Sequence, residues 1–274
     1  MEFNHKCWNP LGELSFILGN DEFVYLRRCC LLKPFLKLSI QDFLRIDDPF
    51  KLAQEAQKPI IKDVHKDSCK VCYLPKTIEK VTVGLSKACP LNCYHCFYEN
   101  NHKDTPEIKK LYFITLEKIK GHHLKEIRLN DRGEPFYYYN ETTKYLRSLS
   151  LEDTQIISFI TGLSTLNELR IKELKAISDK TNIKYRVEVS IDGITKDSYE
   201  ATRLGGNFEK VMSNLKTFTQ EFGSENIIVN YVIKQPNFSD KNIKEFFIQN
   251  FNIKNVSITY DIYDKEAQKR FEEL

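Results

Sequence analysis

The sequence has no feature of a membrane protein and little excess of charge of either sign. No stretch approaches the roughly 18 consecutive apolar residues that indicate a membrane span, and the first residues, MEFNHKCWNP, lack a basic stretch followed by an apolar run. Lysine and arginine number 41 against 38 aspartates and glutamates, which gives no reason to expect nucleic acid. With 274 residues, 41% of them hydrophobic, the chain can bury a sizeable core. We expect a cytoplasmic globular protein that does not bind membranes.

Cysteine is absent from most of the chain, since no cysteine follows position 96. The first group is Cys7, Cys29, Cys30, Cys69 and Cys72. The second group is Cys89, Cys93 and Cys96. In a reducing cytoplasm, grouped cysteines more often bind metal or react than form disulfides. Two metal sites are therefore the first hypothesis.

Beyond position 80, short runs rich in β-branched residues alternate with stretches of helical period. The predicted strands are residues 81–86, 124–130, 155–162, 185–193, 226–234 and 255–263. Thr105 before Pro106, and Thr165 three residues before Glu168, are helix-start signals between them. Strand and helix alternating six times predict a parallel sheet with right-handed crossovers. Six units are too few for a closed eight-stranded barrel, so we expect an α/β fold with an open, partial (β/α)6 barrel.

The first 79 residues predict a small cysteine-rich α+β module that precedes a main domain of residues 80–274. The runs LSFIL and FVYL flank a turn at Gly19-Asn20-Asp21 and predict a hairpin. A helix is predicted around residues 40–57. Cys69 and Cys72 follow in the C-x2-C spacing that zinc and iron-sulfur sites share.

The second cysteine group directly follows the first predicted strand of the main domain. In parallel sheets, ligands lie at the carboxyl ends of the strands. The spacing Cys89-x3-Cys93-x2-Cys96 provides three thiolates and no fourth. A [4Fe-4S] cluster held by three cysteines keeps one iron open to another molecule, whereas a structural zinc normally takes four ligands. Zinc completed by His95 or by a distant ligand is the alternative.

The segment CPLNCYHC resembles the C-x3-C-aromatic-x-C signature of the radical S-adenosylmethionine (radical SAM) superfamily, with Tyr94 at the aromatic position. The resemblance implies that S-adenosylmethionine chelates the open iron through its amino and carboxylate groups. Tyr94, beside the cluster, would offer aromatic surface and backbone groups to the adenine of this cofactor. It further implies that one electron from the cluster cleaves the sulfonium. The products would be methionine and a 5'-deoxyadenosyl radical that abstracts hydrogen from a substrate.

Two later motifs strengthen this resemblance. Gly133, Glu134 and Pro135 follow the second strand and resemble the family's G-E-P motif, which binds the methionine amino group. Ser190 and Asp192 end the fourth strand within a segment similar to the family's S-x-D-G, whose serine contacts the cofactor. The resemblance therefore implies that these residues bind the cofactor.

Two further segments fit the same order along the chain. Arg203, followed by Gly205-Gly206, resembles the family's downstream arginine, which pairs with the cofactor carboxylate. Thr161-Gly162 follows the third strand, where the ribose would lie. On this resemblance, residues 80–274 are identified as a radical SAM domain.

The N-terminal segment resembles the auxiliary iron-sulfur module of SPASM and twitch radical SAM proteins, although that module usually follows the main domain. The resemblance implies a second [4Fe-4S] cluster with four cysteine ligands. These would be Cys7, Cys69, Cys72 and one of Cys29 and Cys30. A structural zinc satisfies four thiolates equally well, so zinc stays an alternative.

The resemblance implies a radical SAM enzyme acting on a peptide or a small, carbohydrate-like molecule, with crosslinking, epimerisation or oxidation as the outcome. A reducing partner such as flavodoxin or ferredoxin is implied with it. The other hypothesis is a cluster-bearing binding or sensing protein with a structural zinc module and no catalysis. No general acid or base is assigned: Glu188, Tyr231 and Tyr260 lie on predicted strands, but a register uncertainty of one residue leaves their facing open.

Overall fold

The computed structural model describes residues 13–27, 34, 36–56, 78–96, 102–130, 133–260 and 265–272. The strands among them are β1 (Glu13–Leu18), β2 (Phe23–Arg27), β3 (Leu36–Ser39), β4 (Lys80–Gly84), β5 (Asn92–Cys93), β6 (Leu124–Leu129), β7 (Thr154–Thr161), β8 (Lys184–Ser190), β9 (Arg203–Leu204), β10 (Ile227–Ile233) and β11 (Val256–Tyr260). The α-helices are α1 (Ile40–Leu44), α2 (Pro49–Ala56), α3 (Pro106–Lys118), α4 (Tyr139–Arg147), α5 (Glu168–Thr181), α6 (Lys196–Thr202), α7 (Phe208–Phe222), α8 (Ile243–Phe251) and α9 (Lys265–Glu272). In this part of the chain, no helix combines the length and apolar character that crossing a membrane requires.

Nine strands form one open sheet in the order β11-β10-β8-β7-β6-β4-β1-β2-β3. The six strands β4, β6, β7, β8, β10 and β11 pair in parallel, and each coincides with a predicted strand. A helix or a loop with a helix connects each of them to the next, as parallel pairing requires. The predicted open α/β sheet is therefore confirmed, and no pairing among the described residues closes it into a barrel.

The predicted N-terminal hairpin exists and extends this sheet. Strand β1 pairs antiparallel with β2 and parallel with β4, and β3 continues the edge beyond β2. The helix predicted at residues 40–57 consists of α1 and α2, which residues 45–48 separate. Cys7, Cys29, Cys30, Cys69 and Cys72 lie outside the described residues. The division of the chain at residue 79 stays a prediction.

The helix starts follow from local side-chain chemistry. Thr105 caps α3, where its hydroxyl accepts from the Ile108 amide and Pro106 occupies the first turn, as predicted. The start predicted at Thr165 was wrong, because Asn167 caps α5 and accepts from the Arg170 amide. Asparagine is at least as good an N-cap as threonine, and here it lies directly before the helix.

One face of the parallel sheet is apolar and packs on the helices. Successive strand residues point to opposite faces, and the buried apolar residues at odd-numbered positions of β4, β6 and β7 share this face. Val83, Leu129 and Phe159 are completely buried and share one core with Leu116 of α3 and Leu174 of α5. Removing apolar surface from water on this face is the main stabilising term of the fold.

The opposite face carries a network of charged side chains. Lys80 lies opposite Glu126 in the β4–β6 ladder, and its Nζ is 3.1 Å from Glu126 Oε1. The Ser158 hydroxyl donates to Glu126 Oε1 at 2.7 Å, and Arg186 Nη1 donates to Oε2 at 2.9 Å. The Glu126 carboxylate is almost completely buried, so these three partners replace its lost hydration.

We expect Glu126→Gln to lower the free energy of unfolding by about 1–3 kcal/mol at pH 7, because two cations lose their buried anion. Burial alone would raise the pKa of Glu126, but Lys80, Ser158 and Arg186 together hold it below 4.5. The stability from this ionisation is therefore fully present above pH 4.5 and is lost as the pH falls through the lower folded value. Urea unfolding at several pH values measures the difference in free energy of unfolding between the variant and the native chain.

The difference in free energy of unfolding between Glu126→Gln and the native chain should become smaller as the pH falls below 4.5. Glu168→Gln is the matched control, because Glu168 is exposed and forms a surface ion pair with Lys172 one helical turn away. Its difference from the native chain should stay near zero at every pH. A difference for Glu126→Gln that is independent of pH would show that the ion pairs do not account for the effect.

Candidate functional site

The loops that follow β4, β6, β7 and β8 meet at the carboxyl edge of the parallel sheet. They enclose a cavity of about 250 Å³. Its lining consists of Cys89, Leu91, Cys93, His95, Cys96, Gly133, Glu134, Ile160, Thr161, Gly162, Ser190 and Arg203. The cavity thus brings together residues from five predicted segments: the cysteine loop, Gly133-Glu134, Thr161-Gly162, Ser190 and Arg203.

Backbone hydrogen bonds hold the cysteine loop at three points. The Cys89 amide donates to the His102 carbonyl at 3.2 Å. Cys93 pairs with Arg203 in the short antiparallel ladder of β5 and β9. The Cys96 amide donates to the Cys93 carbonyl at 3.0 Å, which closes a tight turn. Each cysteine therefore has a defined backbone position.

Asp104, which the sequence analysis did not single out, holds the segment that directly precedes the cysteine loop. The Ser86 hydroxyl donates to Asp104 Oδ2 at 2.6 Å, and the Lys87 amide donates to Oδ1 at 2.9 Å. Lys87 also forms an ion pair with Glu22 of the β1–β2 turn, at 3.0 Å. The β1–β2 hairpin therefore contacts the segment that connects β4 to the cysteine loop. The only sequence signal for Asp104 is its place beside the Thr105 cap.

The three thiols have the chemistry of cluster ligands. They form no disulfide, and burial raises the pKa of the Cys89 thiol to about 12. Burial also raises the pKa of Cys93, although Arg203 opposes this. The Cys89 and Cys93 thiols are therefore favoured in their protonated form at neutral pH when no metal is bound. A metal that binds a thiol deprotonates it outright.

The three thiols line one cavity without converging on one point. Among the described residues, no three His, Cys, Asp or Glu side chains converge closely enough to hold one metal ion. In a [4Fe-4S] cluster each cysteine binds a different iron, so the sulfurs need to line one cavity without converging on one point. Cys89, Cys93 and Cys96 do line one cavity.

Glu134 is the buried carboxylate of the site. The Thr161 hydroxyl donates to its Oε1 at 2.8 Å, and the Gly162 amide donates to its Oε2 at 3.0 Å. The Phe136 amide donates to Oε1 at 3.3 Å. Burial raises the pKa of Glu134 despite these donors. Glu134 therefore ties the loop after β6 to the end of β7.

Gly133 is placed where a side chain has no room. A Cβ on Gly133 would lie 2.6 Å from the Ser86 carbonyl and 3.0 Å from the Ala88 carbonyl. This close backbone approach lets the Glu134 amide donate to the Ala88 carbonyl at 2.8 Å. The glycine thus allows the loop after β6 to pack against the start of the cysteine loop.

Asp192 and Arg203 form a buried ion pair beside the cysteines. Arg203 Nη2 is 2.5 Å from Asp192 Oδ2, and Nη1 donates to Cys93 Sγ at 3.5 Å. His95 Nε2 is 3.4 Å from the same Asp192 oxygen. Burial lowers the pKa of His95, although Asp192 opposes this, so the imidazole is favoured in its neutral form.

Not every predicted cofactor-binding residue lines the cavity. Tyr94 projects outward and is 56% exposed. Pro135 uses its carbonyl to accept a hydrogen bond from Thr142. Asp192 lies behind Arg203 and is completely buried. The roles of these residues toward a cofactor stay predictions.

Comparison with known proteins adds little beyond this geometry. No protein-family model matches the chain, and no curated protein matches it. Among solved structures, the chain is similar to a radical SAM methyltransferase from Sphaerobacter thermophilus, with 15% sequence identity and a TM-score of 0.45. The match covers 70% of this chain and 62% of that one, so it spans less than two thirds of the methyltransferase.

Proposed function

We propose that this chain is a radical SAM enzyme that holds a [4Fe-4S] cluster on Cys89, Cys93 and Cys96 and binds S-adenosylmethionine in the adjoining cavity. One observation carries the proposal: three reduced cysteines from one loop line a single cavity at the carboxyl edge of an open parallel sheet. Ligands bind at this edge in parallel α/β folds. When bound, the reduced cluster supplies the electron that cleaves S-adenosylmethionine to a 5'-deoxyadenosyl radical.

The remaining cavity residues bind and orient the cofactor in this proposal. Glu134 lines the cavity, and its carboxylate would accept hydrogen bonds from the amino group of the methionine moiety. Thr161 and Gly162 hold that carboxylate against the end of β7. Ser190 and Arg203 also line the cavity. Leu91 and Ile160 supply apolar walls that exclude water.

We propose a polar substrate, either a peptide or a small carbohydrate-like molecule. The support is the charged face of the sheet below the cavity, where Arg128 pairs with Glu188 and Asn230 donates to Glu188 Oε2 at 3.2 Å. These side chains can form hydrogen bonds with hydroxyl, amide or charged groups. Crosslinking, epimerisation and oxidation are the candidate outcomes, and a flavodoxin-like or ferredoxin-like protein is the proposed electron donor.

The cysteine-rich N-terminal segment is proposed to hold a second [4Fe-4S] cluster, in a module of the SPASM or twitch kind. A structural zinc is the competing occupant. Metal analysis after anaerobic reconstitution separates them: about eight irons per chain indicate two clusters, whereas about four irons with one zinc indicate one cluster.

The central test is cleavage of S-adenosylmethionine. The full chain, reconstituted without oxygen and reduced with dithionite, should form 5'-deoxyadenosine and methionine in equal amounts. Omitting either iron or reductant should abolish both products. A fully loaded, reduced protein that forms neither product is a binding or sensing protein, and zinc bound by Cys89, Cys93 and Cys96 would refute the cluster itself.

A further inference from the structure

Arg203 is held between an anion and a cluster-ligand sulfur. Its Nη2 lies 2.5 Å from Asp192 Oδ2, and its Nη1 donates to Cys93 Sγ at 3.5 Å. Its backbone pairs with Cys93 in the β5–β9 ladder. Arg203 is 9% exposed. Both the main chain and the side chain of Arg203 therefore contact Cys93.

Asp192 anchors the guanidinium from behind. The Val232 amide donates to Asp192 Oδ1 at 2.7 Å, which leaves Oδ2 facing Arg203. The Asn237 side-chain amide donates to the Asp192 carbonyl at 3.0 Å. Asp192 is thus attached to β10 and to the turn after it. A buried carboxylate fixed in this way keeps the planar guanidinium in one orientation.

We propose that Arg203 raises the reduction potential of the cluster through its N–H···S hydrogen bond to Cys93, with Asp192 as the positioning residue that holds it there. The inference rests on the proposed function, since it concerns the same cluster. Reduction adds one negative charge to the cluster, and a permanent cation beside a ligand sulfur stabilises that charge. Hydrogen bonds to the sulfurs are among the terms that set cluster potentials.

This role differs from the one that the family resemblance implies for Arg203. A carboxylate partner of the cofactor would use the guanidinium to bind S-adenosylmethionine, but both terminal nitrogens already have partners in the protein. The two roles predict different results when S-adenosylmethionine is absent. A hydrogen bond to Cys93 acts on the cluster alone, whereas pairing with the cofactor acts only when the cofactor is bound.

The test compares Arg203→Gln and Arg203→Lys with the native chain, all reconstituted without oxygen. Redox titration without S-adenosylmethionine, followed by electron paramagnetic resonance of the reduced cluster, measures the potential. Arg203→Gln should lower the ratio of reduced to oxidised cluster at a fixed poise about tenfold, which is ~59 mV for a one-electron couple. Arg203→Lys retains the charge without the planar fork and should give a smaller fall.

Arg147→Gln and Arg147→Lys are the matched controls. Arg147 lies on α4 and pairs with Glu173 at the surface, so its replacement should leave the potential unchanged. If the cluster in the Arg203→Gln variant has the same reduction potential as in the native chain, the inference is overturned. If that variant loads no cluster, Arg203→Lys decides in the same way, since an unchanged potential overturns the inference and a lowered one supports it.

The outcomes also separate this inference from the proposed function. A native chain that takes up no iron-sulfur cluster contradicts the proposed function itself. A native chain that loads the cluster and cleaves S-adenosylmethionine, beside an Arg203→Gln variant with native potential and weakened cofactor binding, keeps the proposed function. That result would assign Arg203 to the cofactor carboxylate and reject its role on the cluster.

Discussion

Alanine at any one of Cys89, Cys93 and Cys96 should abolish stable cluster uptake and lower S-adenosylmethionine cleavage at least ~100-fold, because each cysteine holds a different iron. Anaerobic reconstitution, iron and sulfide analysis, and a 5'-deoxyadenosine assay provide the measurements. The backbone contacts of the loop do not depend on the thiols, since Cys89, Cys93 and Cys96 are held through main-chain hydrogen bonds. The loss should therefore be one of ligation, with little change in thermal stability of the metal-free chain.

His95→Ala is the control that separates the cluster from zinc. His95 lies between Cys93 and Cys96 and also lines the cavity. If zinc occupied the loop with His95 as its fourth ligand, this variant would lose metal as completely as a cysteine variant. We expect it to retain its iron. A Cys93→Ala chain that retains both iron and cleavage activity would rule out the proposed ligand set.

Asp192→Ala should lower the free energy of unfolding of the metal-free chain by about 3–5 kcal/mol, because it leaves the Arg203 guanidinium buried without its anion. It also removes the acceptor of the Val232 amide. Breaking a buried pair by deleting one partner costs far more than breaking an exposed pair. Urea denaturation followed by circular dichroism measures the change.

Two further variants make this prediction specific. Asp192→Asn keeps an acceptor for the Val232 amide but removes the negative charge. Its free energy of unfolding should therefore lie between those of the native chain and Asp192→Ala. Asp179→Ala removes an exposed carboxylate that pairs with Lys175 on α5, and it should cost less than ~1 kcal/mol. A loss for Asp192→Ala as small as that of Asp179→Ala would mean that the ion pair contributes nothing to the fold.

The main elements of the fold could be predicted because their signals are local. Short runs rich in β-branched residues predicted the six strands β4, β6, β7, β8, β10 and β11. Their regular alternation with helices predicted parallel pairing. The start of α5 was misplaced by two residues, since Thr165 and Asn167 are both acceptable caps and the backbone conformation chooses between them.

The facing of individual strand residues could not be predicted, because a shift of one residue reverses it. Glu188 faces the charged side of the sheet and pairs with Arg128. Tyr231 faces the helices, is completely buried, and donates to Asp240 Oδ2 at 2.7 Å. Tyr260 packs on Phe271 of α9, with ring centroids 4.8 Å apart. Pairing with neighbouring strands decides these directions.

By itself, the sequence determined the six strands, the open parallel sheet and the loop that carries three cysteines, because hydrophobic period and residue spacing are properties of short segments. Only the tertiary structure decided that Arg203 reaches Cys93, 110 residues earlier in the chain, and that the β1–β2 hairpin joins the sheet beside β4. Such contacts depend on chain segments that meet only after folding. Their free energy comes from burial and pairing across the sheet edge, which no local pattern of residues encodes.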